Sequence, residues 1–91
     1  MSNLGDVAIK YRIMPDSTDV NVETLVERIG KSLPEGVKLH KSTPVPFAFG
    51  LTAIEILVVM KDAGGLSDQT EHAISQIPGI QSVETLEMSL I

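Results

Sequence analysis

The sequence contains no cysteine and no tryptophan, and its only aromatic residues are Tyr11, Phe47 and Phe49. Without thiols there can be no disulfide, no thiolate metal site and no cysteine nucleophile. That absence suits a cytoplasmic protein. Positive charge is also scarce. Seven Lys and Arg stand against twelve Asp and Glu, for a net charge of -5 and a pI of about 4.8. An acidic chain is poorly matched to a phosphate backbone, so direct nucleic-acid binding is not expected. A basic protein partner suits it better. No apolar run is long enough to span a membrane. The strongest, Ile54 to Met60, is short and is interrupted by Glu55, and no membrane partner is expected. The opening residues Met1 to Asp6 hold no basic stretch followed by an apolar one, so no signal peptide is expected, and Ser2 excludes myristoylation.

Reactive constellations are missing as well. His40 and His72 are the only histidines, fall on different predicted elements, and have no carboxylate at a metal-ligand spacing. Gly64-Gly65 is too short for a phosphate-binding loop and lacks the following Lys and Ser or Thr. No nucleophile stands beside a base. The sequence therefore predicts no catalytic residue, no metal site and no cofactor.

What is present is a strong periodicity. Gly5 to Met14 alternates, with Val7, Ile9, Tyr11 and Ile13 on one face and Lys10 and Arg12 on the other. Period two predicts a strand with one buried face, and Pro15 stops it. Asn21 or Asp19 can cap a helix whose stripe is Val22, Leu25, Val26, Ile29 and Leu33. Glu27 and Lys31 stand four apart in the favourable order. Pro34 and Gly36 end that helix. Val37 to Ser42 reads as a weaker second strand. Thr43 to Phe47 carries two prolines and reads as either an edge or a loop. Gly50 to Lys61 reads as the third strand, β-branched and buried, returning along the second as a long hairpin.

Asp62 to Gly65 is a turn, and Ser67 is expected to cap a second helix, with Asp68 in its first turn. The apolar face of that helix is thin: Ala73, Ile74 and Ile77, with Leu66 near its start. Pro78-Gly79 ends it. In the last strand, Ile80 to Leu90, the residues Leu86, Met88 and Leu90 are expected to point inward. Val83 lies on the opposite parity, which suggests a bulge or a late strand start.

Ninety-one residues suit one domain, residues 1–91. The order β-α-β-β-α-β predicts a ferredoxin-like α+β sandwich, a four-stranded antiparallel sheet with both helices on one face. Right-handed crossovers place the first and third strands in the centre. The other face would then be solvated, with Lys10 and Arg12 facing Glu55 of the third strand.

The segment Pro44 to Gly50 stands apart. It holds both phenylalanines, two of the five prolines and a glycine. In an extended chain Phe47 and Phe49 would point the same way. Either both rings close the end of the core, or one is a displayed anchor for a partner, stiffened by Pro44 and Pro46. An RNA-recognition module has comparable aromatics on its third strand. Here Val45-Pro46 replaces the expected basic residue and glycine, and Tyr11 belongs to the buried face.

The segment Val45-Pro46-Phe47-Ala48-Phe49-Gly50-Leu51 resembles the archaeal elongation factor 1-beta family, and more distantly the exchange domain of its eukaryotic counterpart. The family pattern is valine-proline, any residue, glycine or alanine, an aromatic, glycine, then isoleucine or leucine. Further matches are Val58-Val59-Met60-Lys61-Asp62, Gly5-Asp6-Val7, Met14-Pro15 and Pro34-Glu35-Gly36. The resemblance implies a guanine-nucleotide exchange factor that binds the elongation factor 1-alpha GTPase and promotes GDP release. It implies Pro46, Phe47, Phe49 and Gly50 as partner-binding residues, with the docking aromatic at Phe49. The eukaryotic lysine beside the C-terminus has no counterpart, since no lysine follows Lys61. No residue is therefore assigned to disturbing magnesium. Fold alone would also accommodate a regulatory or ligand-sensing domain, with the RNA-binding module a third reading.

Overall fold

A computed structural model describes residues 5–91. The readings made on Met1 to Leu4 lie outside the described residues. The elements run β1 (Asp6–Pro15), α1 (Val22–Ser32), β2 (Val37–Pro46), β3 (Thr52–Lys61), α2 (Leu66–Ser75) and β4 (Ile80–Leu90). One antiparallel sheet has the order β2-β3-β1-β4. This is the ferredoxin-like arrangement, with β1 and β3 central. These two carry the strongest apolar alternation in the sequence, which is what an interior strand covered by helices requires.

The core lies between sheet and helices. Val7, Ile9, Tyr11 and Ile13 of β1 meet Ile54, Ile56, Val58 and Met60 of β3, with Leu25 and Ile29 of α1 and Ile74 of α2. Asn21 is the cap of α1: its side chain accepts a hydrogen bond from Thr24 N at 3.1 Å. Glu27 and Lys31 form the expected pair at 3.1 Å. The thin face of α2 is widened by Thr70, which is buried and donates its hydroxyl to the Leu66 carbonyl at 2.8 Å.

Two expectations change, the Ser67 cap and the inward burial of Met88 and Leu90, and two open readings resolve, Thr43–Pro46 as edge strand and the phase change of β4 as a bulge. Ser67 does not cap α2. The chain enters the helix earlier through Gly65, whose positive φ of 79° turns Leu66 onto the core as the first helical residue. The whole segment Thr43–Pro46 belongs to β2, as an exposed edge strand on which proline is tolerated. In β4 the bulge exists, at Leu86, between the pairs Lys10↔Glu87 and Tyr11↔Thr85. It restores parity, so Val83 stands opposite Ile13 and packs against the core with Ile80. Met88 and Leu90 stand opposite Ile9 and Val7, yet they are 57% and 74% exposed. They lie on the outermost strand, where the helical layer no longer covers them.

Tyr11 is fully buried, and its hydroxyl donates to the Ser67 carbonyl at 3.4 Å. Burial, with the Glu71 and Asp68 carboxylates adding to it, pushes the phenol up from 10.0 to about 12. A folded-state pKa above the unfolded one means a contribution to stability that is complete below about pH 10 and is lost as pH rises towards 12. Tyr11 is the only tyrosine, so absorbance reports it alone. The native chain should ionise late and together with unfolding, whereas the urea-unfolded chain should titrate at about 10. Tyr11→Phe should remove that alkaline step. A native titration at the unfolded value would contradict the burial.

Candidate functional site

The hairpin joining β2 to β3 is closed by Pro46 opposite Thr52 and by Phe47 N donating to the Leu51 carbonyl at 2.8 Å. Between them Ala48–Gly50 makes a single 3-10 turn, and Leu51 N donates to the Ala48 carbonyl at 3.2 Å. The turn is tight because two successive residues adopt the left-handed region: Phe49 at φ 61°, ψ 30°, and Gly50 at φ 77°. Glycine accepts this without penalty, whereas for phenylalanine it costs roughly 1–2 kcal/mol. Phe49 is the only non-glycine residue with a positive φ among those described. A methyl group added at Gly50 would lie 3.6 Å from Thr18 Cγ2, so the loop after β1 comes up against this tip.

The two rings part company. Strand parity puts Phe47 on the open face of the sheet, with Val45 and Thr43. There its ring lies over the Arg12 guanidinium, 5.6 Å from carbon to centroid, and stays 45% exposed. Phe49 sits at the apex and is 94% exposed. Neither closes the core, and they do not share a direction, because the turn replaces the extended chain on which that expectation rested.

Arg12 is held from two sides. It forms ion pairs with Glu55 at 3.7 Å and Glu84 at 3.4 Å, so the charge match expected between the first and third strands is present and extends to β4. Each exposed ion pair is worth at most about 1 kcal/mol, and the cation–π contact about 0.5–1 kcal/mol. Their shared effect is to fix one guanidinium, and through it one ring, at the base of the hairpin. The pairing of Arg12 with Phe47 was not anticipated. Strand parity counted from Val37 and Leu39 would put Phe47 on the core face; the register shift between Leu39 and Lys41 moves it to the open face beside Arg12.

Other candidate chemistry stays dispersed. His40 is exposed in β2 and His72 is exposed on α2. No group of three or more His, Asp or Glu that could hold a metal ion occurs among the described residues. No helix among them is long and apolar enough to cross a membrane.

A family model described as the EF-1 guanine nucleotide exchange domain matches residues 8–91, from the first strand through the hairpin to the last residue. The chain belongs to that family. The exchange-domain relatives include a protein named elongation factor 1-beta from Methanothermobacter thermautotrophicus, 39% identical over 85 residues, covering 93% of this chain and 96% of the relative. Another of that name, from Archaeoglobus fulgidus, is 39% identical over 88 residues, covering 97% of this chain and all of the relative. A third, from Natronomonas pharaonis, is 38% identical over 88 residues with the same coverage. The resemblance read from the hairpin thus extends over nearly the whole chain. The activity of this exchange-domain family is guanine nucleotide exchange.

Proposed function

We propose that this chain acts on the elongation factor 1-alpha GTPase, and that Pro46, Phe47, Phe49 and Gly50 form the contact. The observation that carries this reading is the Phe49 ring, 94% exposed at the apex of a short turn. A soluble fold gains nothing from a bare aromatic on a left-handed residue. A partner with an apolar pocket gains a rigid anchor, and such anchors dominate interface energies. Pro46 and the Arg12-held Phe47 stiffen the base, which reduces the entropy lost on docking. Gly50 lets the chain return into β3 immediately behind the ring.

Exchange of this kind needs no bond made or broken by the chain. In this reading it is not an enzyme, and no side chain serves as acid, base or nucleophile. It binds the nucleotide-free GTPase more tightly than the GDP-bound form. Coupling is reciprocal, so its binding weakens that of GDP by the same factor. Each tenfold weakening corresponds to about 1.4 kcal/mol of differential binding. The partner is a protein and not a nucleic acid, in keeping with the net charge of -5, and translation places the pair in the cytoplasm.

The test is release of a fluorescent GDP analogue from elongation factor 1-alpha, followed with and without the chain. Release should accelerate by at least about tenfold, and saturate as the chain is added. An unchanged rate at saturating concentration would rule the assignment out.

A further inference from the structure

Five of the seven basic residues, Lys10, Arg12, Lys38, Lys41 and Lys61, belong to the open face of the sheet. Only four of the twelve acidic residues share it: Asp6, Glu55, Glu84 and Glu87. The body of the molecule carries the other eight acids with only two basic residues, Arg28 and Lys31. An acidic chain therefore presents one face that is not acidic.

Within that face the charges are unevenly matched. Lys61 is paired with Asp6 at 3.0 Å, and Arg12 with Glu55 and Glu84. Among the described residues Lys10, Lys38 and Lys41 have no carboxylate within ion-pair distance. They surround two half-buried aliphatic residues. Lys41, Leu57 and Lys10 stand in one row across β2, β3 and β1, and Lys38 stands opposite Val59. A concavity of about 330 Å³ lies over Leu57 between Lys10 and Lys41, with Thr43 and Glu55 at its side; the Glu55 carboxylate is turned to Arg12, 3.7 Å away. Lysines on an edge strand discourage pairing with other chains, which accounts for Lys38 and Lys41. Lys10 lies on an interior strand opposite Glu87 of β4, without reaching ion-pair distance of it, and on its other side faces Leu57.

We infer that this face receives an acidic, amphipathic segment of a protein partner. Its carboxylates would meet Lys10, Lys38 and Lys41, and its aliphatic side chains would cover Leu57 and Val59. A single-stranded nucleic acid is the poorer fit, because stacking needs free rings. Tyr11 faces the core, and Phe47 is engaged over Arg12. The surface shares the open face with Phe47 but does not include the Phe49 apex, and the inference does not require the proposed exchange reaction.

The full chain, labelled with nitrogen-15, can be titrated with a synthetic peptide of about twelve alternating Glu and Leu residues while amide shifts are followed. Shifts should concentrate at Lys10, Lys38, Lys41, Leu57 and Val59. Affinity should fall roughly tenfold between about 20 and about 200 mM salt, since exposed charges are screened over that range. The triple variant K10Q/K38Q/K41Q should keep the native spectrum and lose most of the binding. Shifts that are absent or centred elsewhere, or a variant that binds as well as the parent, would overturn the inference. So would tighter binding of an oligothymidylate of equal charge, which would assign the face to nucleic acid.

Discussion

Phe49→Ala is expected to weaken binding to the GTPase by roughly thirtyfold or more, the equivalent of about 2 kcal/mol, with GDP release slowed in step. The melting temperature should stay within a few degrees of the parent. Both halves follow from one number, the 94% exposure of the side chain. Nothing in the core leans on the ring, so folding loses little when it goes. A docked phenylalanine, by contrast, buries about 150–250 Å². At about 25 cal/mol per Å² that is roughly 4–6 kcal/mol before ordering and desolvation reduce it. Phe49→Gly sharpens the case. Glycine relieves the left-handed strain at φ 61°, so this variant should be as stable as the parent or more so, while binding no better than the alanine variant. Isothermal titration and thermal unfolding on the same samples would check both. If either variant unfolds while exchange per folded molecule is unchanged, the ring is structural and the docking role fails.

The largest effect on stability is expected from Ile56→Ala. Ile56 is fully buried on the interior strand β3, opposite Tyr11 on β1 and Ser42 on β2. Neighbours on both sides of the strand leave little room for collapse, so the cavity should persist. Such truncations cost about 2–5 kcal/mol. Domains of this size have total stabilities of about 5–15 kcal/mol and lose about 4–8 °C per kcal/mol. A fall in melting temperature of roughly 10–30 °C is therefore expected by calorimetry or circular dichroism, with lowered yield. A fall of only a few degrees would mean that β3 is not the centre of the core. Exchange measured per folded molecule should survive, because Ile56 does not reach the hairpin tip.

Much of this fold could be read from local pattern. The alternation of Val7, Ile9, Tyr11 and Ile13 against Lys10 and Arg12 specifies both the strand and its two faces, because the side-chain period of a strand is two. The run Ile54 to Met60 could only be satisfied in the middle of a sheet. Asn21 ahead of the Val22 stripe marked a helix start. The misses share a cause. Ser67 has good capping chemistry, but Leu66 gains more by reaching the core, and Gly65 permits the earlier start. Met88 and Leu90 have inward parity, yet parity gives a direction and not a covering. The hairpin segment was legible as unusual, from two rings and two prolines in seven residues. Its geometry was not, because an extended reading of Phe47-Ala48-Phe49 cannot foresee a left-handed turn.

The amino-acid sequence by itself determined the order of elements, the faces of the central strands and the membership of an exchange-domain family. Those depend on periods, breakers and spacings that each segment carries within itself. Only the tertiary structure decided that Phe47 rests on Arg12, that Phe49 stands free, and that Lys10 and Lys41 flank Leu57 with Lys38 beside Val59. Exposure and charge pairing are set by which strands become neighbours, and residues brought together from β1, β2 and β3 cannot signal that meeting along the chain.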